Sequence, residues 1–451
     1  MGRILFTSET HAGLFYPLAA IAGELAGRGA DELWFGCTDD READVAAMGG
    51  SPRFVSRGPG PHADLQPTEW SDETYDLVNN SSRSRSLVAF FELLFDPEHG
   101  ERMYQRTLEV IDRVRPDLMV IDSADFAALD AAMNRNIPYV MNSAAPVSYL
   151  FATRVPSGYP AMLSGLPLRM TWRQSWENRL FKVLPKLMMI GKPAFLKRMV
   201  AHQRRRQELG MKNLKVVHTV YADGAAAILG NTVFGIEYPF PAPSSVHMLG
   251  TMVRPRGQAS GTDADLFDWL DRRESVVYIG LGSLMRVSAA TAAEMVAAIE
   301  RLGPEHHFLW SMTKAQQTLL PDVLPANLRV ESWVPQVEVL AHPNVRVYWA
   351  HGGNSSHHGL RFGKPLLLTP RSWETRDLAV RFVDAGGALM VEDVRSVGRG
   401  ELVDKLRRLL TDDRLRERAV HWGRELAAAG GVGAAADLIS AVLEGEQCAI
   451  G

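Results

Sequence analysis

From Ser332 to Thr375 the chain reads SWVPQVEVLAHPNVRVYWAHGGNSSHHGLRFGKPLLLTPRSWET, which gathers an aromatic, amides, histidines, paired glycines and hydroxyls in about forty residues. Val345–Ala350 is a short β-branched and aromatic run, His351-Gly352-Gly353 breaks it, and 354–362 can be helical. A strand, a tight glycine turn and a helix start together bring free backbone N–H groups and the positive end of a helix dipole to one place, where a phosphate is favoured. Asn354, Ser355 and Ser356 add side-chain donors there, and His351 lies at the strand's C-terminal tip, where open α/β sheets bind ligands. This pattern predicts a nucleotide-diphosphate pocket; an ordinary helix cap after a buried strand is the other reading of HGGNSS. The pairs His306-His307 and His357-His358 suggest a metal less well. Adjacent histidines seldom turn both rings to one ion, and no carboxylate or thiol cluster accompanies them, so no metal is expected.

The elements around that stretch alternate strand and helix. Arg3–Thr7 reads as a first buried strand, Ser8–Tyr16 as its loop, and Pro17 as the opening of a helix with Leu18, Ile21, Ala22 and Leu25 on one face. Leu33–Cys37 follows as a strand, and the lone Gly13 is not a GxGxxG fingerprint. After a helical stretch at Leu108–Val114, Asp117–Ile121 is a buried strand ending at Asp122. That carboxylate either faces the ligand crevice or caps the helix over 127–133. Ile137–Met141 is a further strand. A second cycle starts with a strand at Ser275–Ile279, the turn Gly280-Leu281-Gly282-Ser283 and a helix over 289–302. It continues through strands near 308–311, 328–331, 365–368 and 388–391, with helices over 375–385, 399–411 and 413–446. The expected fold class is α/β, with two doubly wound Rossmann-like domains facing each other across a cleft. The prolines between Glu237 and Gly261 mark the boundary.

Residues 150–210 mix prolines, tryptophans, methionines and many basic side chains. Three readings stay open: an apolar-lined insertion shaping a cleft, weak membrane-surface contact through 165–200, and a helix pair packed on its domain with solvated basic residues.

With 451 residues, two domains can each bury a core. A net charge of −3 and a pI near 6.5 give no electrostatic footprint for nucleic acid. Two cysteines, Cys37 and Cys448, make no disulfide framework, and a reducing cytoplasm is expected. No apolar run reaches the roughly 18 residues of a spanning helix, and no transmembrane segment is expected.

In order and spacing, VVYIGLGSL (276–284), WVPQ (333–336), HP (342–343), HGG (351–353) and GKPLLLTP (363–370) resemble the nucleotide-sugar-dependent glycosyltransferases of the GT-B fold. That family includes the UDP-glucuronosyltransferases and bacterial natural-product glycosyltransferases. FGIEYPFP, MLSGLPLRMTW and RPDLMVID have its look in the first half. The resemblance implies an acceptor-binding domain over 1–238, a linker over 239–262, a donor-binding domain over 263–430, and a C-terminal helix and tail, 431–451, returning toward the first domain. It also implies inversion at the sugar carbon without metal or cofactor, from a UDP- or dTDP-sugar co-substrate. Trp333 would stack on the base, with Val334 and Gln336 beside the nucleoside. Ser283, His351, Gly353, Asn354 and Ser355 would hold the diphosphate.

Three positions depart from the family's pattern. His358 stands where many relatives carry a ribose-binding glutamate, so a dTDP-sugar donor competes with UDP-glucose or UDP-glucuronate. Glu374-Thr375 replaces an Asp-Gln pair that reads sugar hydroxyls, and Thr375 lacks the amide's reach. Leu14 occupies the place of the base histidine. His11 is the nearest substitute, with Asp122 as the residue that would fix its tautomer, and Glu9 is the fallback. The implied activity is transfer of a hexose or deoxyhexose to a hydroxyl of a lipophilic small molecule. A nucleotide-sugar epimerase of the same fold and a degenerate partner protein are the alternatives.

Overall fold

Short apolar runs of β-branched and aromatic residues become strands covered on both faces, as parallel sheets require. The structure, a computed structural model, describes residues 2–29, 32–48, 52–60, 70–79, 82–253, 263–282, 287–370, 373–391 and 399–445. The chain divides into two compact units, one of Met1–Ser164, Leu168–Arg254 and Ala429–Gly451, the other of Gly165–Pro167 and Pro255–Ala428.

The first unit holds β1 (Arg3–Thr7), β2 (Glu32–Cys37), β3 (Arg53–Ser56), β4 (Leu118–Asp122), β5 (Tyr139–Ser143), β6 (Ala227–Gly230) and β7 (Val246–Met248). They form one parallel sheet in the order β3-β2-β1-β4-β5-β6-β7. Ile4, Phe6, Leu118 and Val120 pack on one face with the helices Ala12–Gly27 and Gly431–Leu443. Leu5, Met119, Ile121 and Met141 pack on the other with Pro97–Val114 and Phe126–Arg135. The chain order reverses between β2-β1 and β4, which is the switch point at which such sheets bind ligands.

The second unit holds β8 (Val276–Gly280), β9 (His307–Ser311), β10 (Leu328–Glu331), β11 (Val345–Ala350), β12 (Leu366–Leu368) and β13 (Ala388–Met390), parallel in the order β10-β9-β8-β11-β12-β13. Val277, Ile279, Phe308, Trp310, Val347 and Trp349 make its core with the helices Ala289–Arg301 and Arg399–Thr411. Both units are therefore doubly wound α/β sheets.

Three elements differ from the sequence expectation. The first helix begins at Ala12, not Pro17, so the loop shrinks to Ser8–His11 and His11 is the residue before the first turn. Its carbonyl accepts the N–H groups of Leu14 and Phe15, both at 2.9 Å. β7 lies inside the proline-rich stretch read as a linker, because Val246–Met248 extends the sheet beside β6. The helix expected over 413–446 is two, Asp413–Ala428 and Gly431–Leu443, parted at Gly430 (φ 92°) and Gly431 (φ 54°), where a side chain would be strained. This stretch, 413–443, does contain an 18-residue window as apolar as a membrane-crossing helix, with mean hydropathy 1.7 over that window. It is broken by those glycines, and Val432, Ala435, Ala436, Leu438 and Ile439 are buried in the first unit's core. Residues 150–210 contain the helix pair Trp172–Ile190 and Pro193–Glu208. The first starts with a capping box of Thr171 and Gln174, the second with proline in its first turn.

Candidate active site

In the second unit β8 and β11 lie side by side, and both end in glycine turns. Tyr278 and Tyr348 are register partners whose rings stack at 5.2 Å and 6°. Their hydroxyls both donate to Gln336 Oε1 at 3.4 Å, and Gln336 Nε2 lies 3.4 Å from His358 Nδ1. The Gln336 side chain is thus held in place by three neighbours within the protein. His358 is held neutral, since burial lowers its pKa from 6.5 to about 4. Its Nδ1 can therefore accept from the amide.

His351 follows β11 and is wedged between two glycines. A Cβ on Gly353 would stand 2.3 Å from its Nε2, and one on Gly282 would stand 2.8 Å from its Cε1. Gly352 has φ 87°, and a Cβ there would meet the Thr375 carbonyl at 2.7 Å. The HGG sequence is therefore a demand for space as well as for a left-handed turn. Burial lowers the His351 pKa to about 4, and Nδ1 is buried without a hydrogen bond. A neutral ring keeps one N–H to offer a ligand oxygen.

Beyond it the helix Ser356–Arg361 starts, with the N–H groups of Ser356, His357 and His358 bonded back to Gly353, Asn354 and Ser355 carbonyls at 2.9–3.0 Å. The N–H groups of Gly353, Asn354 and Ser355 have no acceptor among the described residues. Ser356 is fully buried with an unpartnered hydroxyl. His357, by contrast, is structural: Nδ1 donates to the Asn354 carbonyl at 3.0 Å and the ring packs edge-on against Phe382.

Trp333 is 67% exposed, whereas the next residue, Val334, is buried. Glu374 and Thr375 lie in the first turn of the helix Trp373–Asp384 and are partly buried. Burial, and then the nearby Asp377, push the Glu374 carboxyl up to about 7. Ser283 lies outside the described residues. No group of three His, Cys, Asp or Glu side chains is placed to hold a metal ion among the described residues.

In the first unit the residues expected to handle a proton sit at the carboxyl edge of the sheet. Asp122 ends β4, fully buried; Oδ1 accepts the Ala124 N–H at 2.8 Å and Oδ2 has no partner. No hydrogen bond joins it to His11. Burial raises its pKa well above the ordinary carboxylate range. The cap of the following helix is Asp125, which accepts from the Ala128 N–H at 3.1 Å. Asp125 also takes a two-pronged contact from Arg57, with Nη2 at 2.9 Å from Oδ1, and the pair is almost wholly buried. Glu9 stands in their field: burial, then Asp125, raise its pKa to about 7 while Arg57 opposes. Among the described residues its carboxylate has no hydrogen-bond or ion-pair partner.

Asn142, the register partner of Asp122, turns its buried amide toward that carboxyl, and Asn231, just past β6, has both amide atoms buried and unpartnered. Leaving such an atom unpaired costs about 1–3 kcal/mol, so this edge is built for a hydrogen-bonding occupant, ligand or water. Sequence reasoning missed Arg57, Asp125, Asn142 and Asn231. The available signal was a polar residue closing an otherwise apolar strand, as in YVMNS and AILGN.

A family model described as UDP-glucoronosyl and UDP-glucosyl transferase matches residues 104–424. UDP-glycosyltransferase 87A1 of Arabidopsis thaliana is 33% identical over 192 residues, 41% of this chain and 40% of that protein. The first curated relatives are matched over 31–41% of their own lengths. Among solved structures, the glycotransferase of kitacinnamycin superposes with a TM-score of 0.70 at 20% identity, covering 98% of this chain and 99% of that one. The glycosyltransferase VinC in complex with DTDP gives 0.62 at 18%, also covering 98% and 99%. Similarity at that level establishes the fold.

Proposed function

Because the chain belongs to the UDP-glucoronosyl and UDP-glucosyl transferase family, we propose that it moves a hexose or deoxyhexose from a nucleoside diphosphate to a hydroxyl of a lipophilic small molecule, inverting the sugar carbon without a metal. The cradle after β11 carries the reading: a neutral His351 fixed between Gly282 and Gly353, followed by the unclaimed N–H groups of Gly353, Asn354 and Ser355. The diphosphate is the leaving group, so donors aimed at it stabilise charge that grows in the transition state, a role a metal ion plays elsewhere. The exposed Trp333 is available to stack a base.

Donor choice leans to dTDP over UDP. A carboxylate could accept both ribose hydroxyls, whereas His358 is neutral and already bonded to Gln336. VinC, solved in complex with DTDP, shares the fold. Glu374 remains the acceptor for sugar hydroxyls.

The proton acceptor is assigned to the first loop, as His11 or Glu9. Glu9 is favoured by its unpartnered carboxylate and its pKa near 7, which leaves much of it ionised at neutral pH. His11→Ala and Glu9→Gln discriminate: the variant whose kcat falls by two orders of magnitude or more, with donor affinity kept, identifies the base.

Calorimetric titration with dTDP, UDP and GDP tests the donor reading. Tightest binding to dTDP, with UDP weaker and GDP weakest, is expected. Absence of binding to all three removes the proposal.

A further inference from the structure

The helix Trp172–Ile190 is amphipathic the wrong way round for a helix packed on a domain. Its inward face is Asn178, Phe181 and Pro185, all buried. The opposite face carries Trp172, Trp176, Leu180, Val183, Leu184, Leu187 and Ile190, each exposed, with Trp172 at 70%, Trp176 at 59%, Leu180 at 60% and Ile190 at 63%. At 100° per residue these seven positions fall within one arc of about 120°, a continuous stripe. The two indoles alone present on the order of 300 Å², already the lower end of the largest apolar patch usual on a monomer, and five aliphatic side chains add to it.

Charge selects the occupant. Residues 172–208 hold ten Lys and Arg against two Glu, a net +8 in a chain whose total is −3; of the ten, Lys192, Arg205 and Arg206 are answered by Glu92, Glu101 and Asp130 outside the segment. Arg179 and Lys186 lie along one edge of the stripe by the same helical arithmetic. Arg173 and Arg179 stack over Trp172 and Trp176 at 5.2 and 5.4 Å. Among the described residues Arg173, Arg179, Lys186 and, on the next helix, Lys197 and Arg204 have no carboxylate partner. Met199 and Val200 on that helix are also bare. Tryptophans and aliphatics on one face with unpaired basic residues at its margin match the interface of an anionic bilayer. There the rings enter the headgroup layer and the cations meet lipid phosphate. A neutral protein groove would leave those charges unanswered, and a second copy would set like charge against like.

We infer that the helix pair Trp172–Ile190 and Pro193–Glu208 is a peripheral docking surface for anionic lipid. The test is co-sedimentation of the full chain with vesicles of pure phosphatidylcholine and of phosphatidylcholine with 30–40% phosphatidylglycerol, roughly one Debye length being 10 Å at 0.1 M salt. At least tenfold more protein is expected on the anionic vesicles, falling as salt is raised to 0.5 M. Trp176→Glu/Leu180→Glu abolishes the binding, and Arg179→Gln/Lys186→Gln reduces it several-fold. Circular dichroism and the unfolding temperature are the fold control; because these side chains are exposed, neither moves. Equal binding to both vesicle types, no binding to either, or binding that survives the Glu pair overturns the proposal. So does concentration-dependent dimerisation lost in the Glu pair, which would assign the stripe to a second copy.

Discussion

Gly353→Ala is the sharpest probe of the cradle, because it adds one methyl group where the structure leaves no room. The new Cβ would lie 2.3 Å from His351 Nε2, 3.0 Å from Cε1 and 3.1 Å from Cδ2. Carbon and nitrogen settle near 3.5 Å, so the ring must retreat by about 1 Å. On the other side the ring already occupies the space that the absent Cβ of Gly282 leaves, with Cε1 2.8 Å from that site. Overpacking of this kind costs about 1–3 kcal/mol, and in a unit of this size each kcal/mol lowers Tm by about 2–4 °C. Displacing the ring and the neighbouring N–H groups should also weaken nucleotide-diphosphate binding by tenfold or more, a loss of about 1.4 kcal/mol or greater. Differential scanning calorimetry and isothermal titration with dTDP measure the two effects. Gly400→Ala is the control: it lies in the helix Arg399–Thr411 with nothing within 4 Å of its Cβ site, and should stabilise by about 0.5–1 kcal/mol without touching affinity. If Gly353→Ala unfolds and binds dTDP as the parent protein does, the wedge does not position His351 and the reasoning fails.

Trp333→Ala should cost about 1–3 kcal/mol of nucleotide affinity, roughly 5- to 150-fold, with Tm unchanged because the indole is 67% exposed; an unaltered Kd would deny it the stacking role. Arg57→Met should destabilise by about 3–5 kcal/mol in urea titration, because it strands Asp125 beside Glu9 and Asp122 in a buried site. A loss below about 1 kcal/mol would show that those carboxyls neutralise one another without Arg57. Stability should fall as pH drops from 6.5 to about 4: His351, His357 and His358 all have folded pKa values lowered to about 4, so their contribution is complete above 6.5 and lost on protonation. Glu9 and Glu374, raised to about 7, and Asp122, also raised by burial, act the other way, stabilising at low pH and losing that as pH rises through their folded values. The burial-lowered His202, His218, His247, His306 and His307 add to the histidine side. Urea midpoints at pH 4.5, 5.5 and 6.5 check the sign, with Glu9→Gln expected to steepen the rise.

Much of the scaffold was legible because buried parallel strands are short apolar runs, and all but a few announced themselves. β7 did not: three residues among prolines carry almost no periodicity, and only the sheet edge beside β6 makes Val246–Met248 a strand. Pro17 misled, because a proline in the second turn is tolerated where local packing fixes the helix. The cradle was legible in HGGNSS, since glycine pairs are required where a ring is wedged. The Gln336 network was not, because it depends on two tyrosines seventy residues apart in sequence meeting in register. Likewise the pairing proposed for His11 and Asp122 rested on position in the chain. The buried pair of Arg57 and Asp125, 68 residues apart in sequence, left no signal of that kind, and Asp125 with Glu9 acts on the Asp122 carboxyl.

Product analysis with dTDP- and UDP-hexoses and a hydroxylated lipophilic aglycone tests the central claim most directly. Nucleoside diphosphate released in equal amount with a glycosylated acceptor, its anomeric carbon inverted by NMR and the reaction unaffected by chelator, is the predicted result. Epimerised sugar without acceptor, or retention of configuration in the product, would contradict it.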